Sequence, residues 1–141
     1  NFDTTGTVDV VRFTDALNTL FDDVTNNDVI AWVSGSGNAT VNVAASLATY
    51  EALYLGGAVT GEGVVGTSLG DATAVANAFN AEFAISGTGS ALLVINDTDG
   101  NKFSVWQYTE AGTSEIQASE LTLIGTFTGN GTVTTASFAF G

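Results

Sequence analysis

The densest run of oxygen donors in the chain is Asp97-Thr98-Asp99-Gly100-Asn101. Ca2+ takes six to eight oxygen ligands and accepts carboxylates and amides from one tight loop, so Asp97, Asp99 and Asn101 are candidate ligands. The same residue types favour a hairpin turn for backbone reasons of their own. Gly100 is fourth in the run, whereas an EF-hand loop needs its glycine sixth. Turn and calcium loop both stay open. Residues 109–120 have the length of a calcium loop, with Ile116 at position eight and Glu120 at position twelve. Thr109, Ala111 and Thr113 stand where carboxylate or amide donors are needed, and Ser114 replaces the glycine. This stretch is expected to be a turn leading into a short helix and a strand.

Three Asn-x-Ser/Thr triplets, at Asn38, Asn96 and Asn130, are candidate glycosylation sites in or beside expected loops. Nothing assembles a catalytic group. The chain has no His and no Cys, which excludes histidine acid–base work, Ser-His-Asp and Cys-His nucleophiles, thiolate zinc sites and disulfides. Glu51, Glu62, Asp71, Glu82 and Glu110 are scattered over different expected elements, so no short motif pairs two carboxylates for glycoside cleavage. An enzyme is not expected. Trp32, Trp106 and Tyr108 would make a sugar-stacking platform if exposed, and core if inward-facing.

Composition narrows the partners. Fifteen acids against two bases, Arg12 and Lys102, give a net charge of −13, so phosphate backbones and anionic membranes would be repelled. No nucleic acid is expected as a partner. No apolar run reaches about 18 residues, so no membrane insertion is expected either. Hydrophobic residues make up 45% of the 141, enough for a buried core, while charged residues are only 12%. Asn1 at the start and the lack of Met predict a processed product or a fragment.

The elements that must position these residues read as mainly β. Residues 4–11 alternate as a strand, and Thr14 with Ala16, Leu17, Leu20 and Phe21 predicts a helix. A short apolar strand over 28–33 is expected to pair with 40–43. Residues 44–55 are helix-permissive, with Leu47, Tyr50, Leu53 and Tyr54 along one side. Asp71 is an expected N-cap of a helix running to about Ala81. Strand-length runs follow at 82–86, 91–96, 102–109, 121–128 and 132–140, with hairpin connections expected at 86–90 and 97–101. Residues 91–95, apolar without alternation, predict a central strand covered on both faces. The expected fold is an antiparallel β-sandwich, jelly-roll-like, with two or three short helices and an extended N-terminal strand.

That strand divides the chain into residues 1–12 and a single β-rich domain over 13–141. Thr7, Val8, Asp9, Val10 and Val11 have the alternation of an assembly strand. Such a strand pairs within its own sheet or completes a neighbour's through main-chain hydrogen bonds. Donation from subunit to subunit does not close, so it builds a filament.

Residues 91–127 (ALLVINDTDGNKFSVWQYTEAGTSEIQASELTLIGTF) and the closing TASFAF resemble the C-terminal module of RTX-type secreted bacterial proteins, the bluetail region. Family members show a calcium-loop pattern before a strand like Glu120-Leu-Thr-Leu-Ile-Gly125; here the strand matches and the preceding aspartates are absent. The resemblance implies type I secretion, an extracellular location and no enzyme activity in this segment. By overall pattern the chain also looks like subunits of glycan-coated extracellular fibrils from aquatic microbes. The function expected is therefore a secreted, self-assembling structural subunit with itself as partner, open to covalent glycans and Ca2+. The alternatives are a secretion and calcium-folding module of a larger RTX-type protein, and a carbohydrate-binding domain.

Overall fold

A computed structural model describes residues 9–13, 32–34, 39–42, 52–56, 66–109, 111–112, 114–131 and 133–140. In chain order the strands are β1 (Val11–Phe13), β2 (Trp32–Ser34), β3 (Ala39–Asn42), β4 (Ala52–Leu55), β5 (Phe83–Ser86), β6 (Ser90–Asn96), β7 (Lys102–Thr109), β8 (Leu121–Thr128) and β9 (Phe138–Phe140). One α-helix, α1 (Ala72–Glu82), stands among the described residues, so the fold is mainly β. The helix expected over 14–21 lies outside the described residues, as do residues 44–51 of the one expected over 44–55, whose last four residues form β4.

The central sheet has the order β2-β4-β6-β7-β8, and two-stranded ribbons β1-β9 and β3-β5 stand apart from it. β6-β7 and β7-β8 are antiparallel, as expected. The other four pairings, β1-β9, β2-β4, β3-β5 and β4-β6, are parallel, which corrects the all-antiparallel expectation. β3 takes β5 rather than β2 as its partner, so among the described residues the pairing expected between 28–33 and 40–43 is absent. Nor is the 86–90 connection a hairpin. Gly87, at φ 82°, turns the chain out of the β3-β5 ribbon and into the central sheet.

β6 organises the core. Ala91 to Ile95 are all fully buried because both faces of the strand are covered. On one face Leu53, Leu55, Ala91, Leu93, Ile95, Trp106 and Tyr108 pack under α1 and the β3-β5 ribbon. On the other, Ala52, Tyr54, Leu92, Val94, Phe103 and Val105 pack under β1 and β9. Phe138 sits at the centre of that second layer, parallel to Phe13 at 6.3 Å and edge-on to Phe103 at 5.4 Å. The expected face split of β7 holds: Phe103 and Val105 look one way, Trp106 and Tyr108 the other.

β4 is the clearest departure in secondary structure. Its four residues are buried, Leu53 and Leu55 toward one layer and Ala52 and Tyr54 toward the other. A strand buried on both sides loses its polar alternation, and its apolar spacing then imitates a helix.

Helix α1 starts where its cap dictates. The Asp71 carboxylate Oδ1 accepts from the N–H groups of Thr73 (2.9 Å) and Ala74 (3.3 Å), satisfying two orphan donors of the first turn. Val75, Ala76 and Phe79 face inward. The Asn80 side chain fixes the helix to the following loop from both sides. Its Oδ1 accepts from Ile116 N–H at 2.8 Å, and its Nδ2 donates to Ile116 C=O at 2.9 Å. Both main-chain groups of Ile116 are thereby paired, as they would be in a strand ladder.

Candidate functional site

The Asp97–Asn101 run is the tight connection between β6 and β7. Asp97 N–H donates to Lys102 C=O at 2.8 Å and Gly100 N–H to Asp97 C=O at 2.9 Å, closing the turn. Gly100 supplies the left-handed residue it needs, at φ 72°. The Asp97 carboxylate is buried and turned inward, where Oδ1 accepts from Asn101 N–H (3.0 Å) and Lys102 N–H (3.1 Å). Asp99 and Asn101 are exposed instead. Two loop carbonyls are also engaged: Asn101 C=O by Gly129 N–H at 2.7 Å and Gly100 C=O by Val133 N–H at 3.3 Å. The expected ligand set is thus divided, with Asp97 organising backbone amides and the other two facing water. Among the described residues no three His, Cys, Asp or Glu side chains gather where they could hold a metal ion.

Glu120 has a similar occupation. Its Oε1 accepts from Ala111 N–H (2.9 Å) and its Oε2 from Gln117 N–H (2.8 Å), tying both ends of the 111–117 loop to the start of β8. The carboxylate expected at position twelve of a calcium loop therefore holds a turn together. The short helix and strand expected after it are the 3-10 turn Ala118–Glu120 and β8.

The three glycosylation candidates part company. Asn38 lies outside the described residues. Asn130 is exposed in the bend after β8. Asn96 is 1% exposed at the end of β6, and its Nδ2 donates to Tyr54 Oη (2.9 Å) and Val133 C=O (3.2 Å). In the folded chain that nitrogen is buried and hydrogen-bonded, whereas a glycan needs it at the surface. Trp106 and Tyr108, at 3% and 0% exposure, are core, with Trp106 Nε1 donating to Ser104 Oγ at 2.8 Å. They offer no platform to a sugar.

Of the expected assembly strand, Thr7 and Val8 lie outside the described residues. Asp9 and Val10 are exposed and belong to no strand, and Val11 opens β1 against Phe138 of the same chain. One feature escaped the sequence reading: among the described residues β8 is an edge of the central sheet. Leu123 and Ile124 are 42% and 39% exposed there, and Thr122, Thr126 and Thr128 are exposed beside them. The register shifts between Val105 and Trp106, which face Gly125 and Leu123, so Ile124 is the extra residue of a β-bulge. The available signal was the absence of charge from LTLIGTFT, although a charge-free strand reads equally well as interior.

No protein-family model matches the chain, and no curated protein or solved structure does so either. No helix among the described residues is long and apolar enough to cross a membrane.

Proposed function

We propose that the protein is a secreted structural subunit that assembles head-to-tail into an extracellular filament, its N-terminal segment completing the sheet of the next subunit and Asn130 open to a glycan. The supporting observation is at the entry to β1. Pairing with β9 begins only at Val11, and the apolar residue before it, Val10, is left 39% exposed. An alternating apolar position that its own fold does not bury is what a donated strand offers to a neighbour's pockets. A net charge of −13 opposes association, and salt relieves it by screening charges beyond about 8 Å at physiological ionic strength. Filaments should therefore form more readily at 0.15 M than at 0.01 M salt. Removing residues 1–10 spares β1 and its pairing with β9, so the truncated chain should stay folded and form no filaments by negative-stain microscopy and sedimentation. Filaments of the truncated chain identical to those of the full chain would refute the reading, as would a full chain that stays monomeric in salt.

A further inference from the structure

We infer that β8 is a self-docking edge: it pairs antiparallel with β8 of a second copy and joins two five-stranded sheets into one across a twofold axis. An edge strand of eight residues turns about half of its N–H and C=O groups away from its neighbour, here β7, the only strand paired with it among the described residues. Exposed edges are normally guarded by charge, proline or a bulge; β8 has no charge and no proline, and its one bulge leaves Leu123 and Ile124 exposed together.

Charge identifies the occupant as another copy of the chain. Two molecules at −13 repel over most of their surfaces, so they meet most easily where no carboxylate stands. The ends of β8 then select the direction. Glu120 precedes its first residue, and Lys102, one of only two bases in the chain, is the cross-strand partner of Thr128 at its last. Antiparallel pairing brings the Glu120 end of each copy to the Lys102 end of the other, whereas parallel pairing would set like ends together.

The sheet faces fix the register. Leu121 and Leu123 stand opposite Tyr108 and Trp106, on the α1 side, while Gly125 and Phe127 stand opposite Val105 and Phe103, on the other side. Opposed residues must share a face, and the register that does so along the whole of β8 sets Leu123 against Thr126, Thr122 against Phe127 and Leu121 against Thr128 of the second copy. The contact is isologous and closes at two molecules. It uses none of the N-terminal segment and does not depend on head-to-tail assembly.

The test uses the full-length chain with Leu123→Cys and Thr126→Cys together, since no native cysteine competes. Three residues apart on one strand, the two thiols are about 10 Å from each other and cannot bridge within a molecule. Mild oxidation should give a disulfide dimer, with both bridges closed by intact mass, at least about tenfold faster than a Thr73→Cys control on the exposed side of α1. Adding Thr122→Lys should slow that cross-link about tenfold, because the twofold axis counts the buried lysine twice. The added positive charge lowers net repulsion, so a contact limited only by overall charge would speed up instead. Cross-linking no faster than the control, a ladder of higher oligomers in place of dimers, or indifference to Thr122→Lys would each overturn the proposal. The same dimer in the chain lacking residues 1–10 separates this contact from the head-to-tail link.

Discussion

Asp97 tests whether the oxygen-rich loop is held by a cation or by its own backbone. In Asp97→Ala the N–H groups of Asn101 and Lys102 lose the Oδ1 acceptor they share at 3.0 and 3.1 Å. Hydrogen bonds to a charged group are worth about 1.5–3 kcal/mol each, and a partly buried surface turn takes the low end, so the loss of two is about 3 kcal/mol. Unfolding entropy of about 2.1 cal/mol/K per residue gives the chain about 0.3 kcal/mol/K, which converts the loss into a Tm lower by about 10 °C. Asp97→Asn keeps an oxygen at Oδ1 and should lose only about 3 °C. The assay is thermal unfolding by circular dichroism, in EDTA and in millimolar CaCl2. If the carboxylate serves the turn, all three proteins unfold at the same temperatures in both buffers. A calcium site at 100 times its Kd would add about 2.7 kcal/mol, or about 9 °C, to the wild type alone. A rise of that size, abolished in Asp97→Asn, would refute the turn reading.

Two further outcomes follow from the same hydrogen-bond geometry. Asn80→Ala strips both main-chain partners from Ile116 at once and should cost about 2 kcal/mol, read as a Tm lower by about 7 °C, with amide exchange rising first over 114–117. If the protein is produced in a glycosylating host, peptide mapping should find Asn96 unmodified and sugar at Asn130, because only the latter is exposed.

Local rules were legible wherever a few neighbouring residues decide the outcome. Asp71 announces α1 because a carboxylate before a helix has one backbone task, and the structure shows it doing that task. The alternation of β7 sorts its side chains into two layers, and the Asp-Gly chemistry at 97–100 closes the hairpin. The face-blind apolar run at 91–95 correctly implied burial on both sides. Partner choice was not legible. β4 pairs with β6 about forty residues later, and β3 with β5 at a similar distance; periodicity reports that a segment is a strand, not which strand it meets. The calcium and glycan candidates failed to separate for a related reason. Asp97 and Asp99 are equivalent oxygen donors in the sequence, and only the turn's handedness sends one inward and the other to water.

That difference bears on how an acidic, charge-poor chain can associate. Carboxylates at structural positions, such as those of Asp71, Asp97 and Glu120, are committed to the backbone amides of their own molecule. They define turns and caps, so they act on a partner through charge at a distance, as Glu120 does beside β8, and not as direct anchors, which would undo the turn. Arg12 and Lys102 are too few to build a charged interface. Main-chain groups at strand edges and the apolar side chains beside them are what remains for contact. Main-chain pairing needs no charge, and its N–H and C=O groups recur along the whole strand. Association by this route should weaken steeply when a charge enters an edge and barely respond to charge placed on α1. Thr122→Lys and Thr73→Lys change the net charge equally, so they isolate position from amount. Equal effects of the two on dimer cross-linking would mean that overall repulsion, rather than a defined edge, governs how these molecules meet.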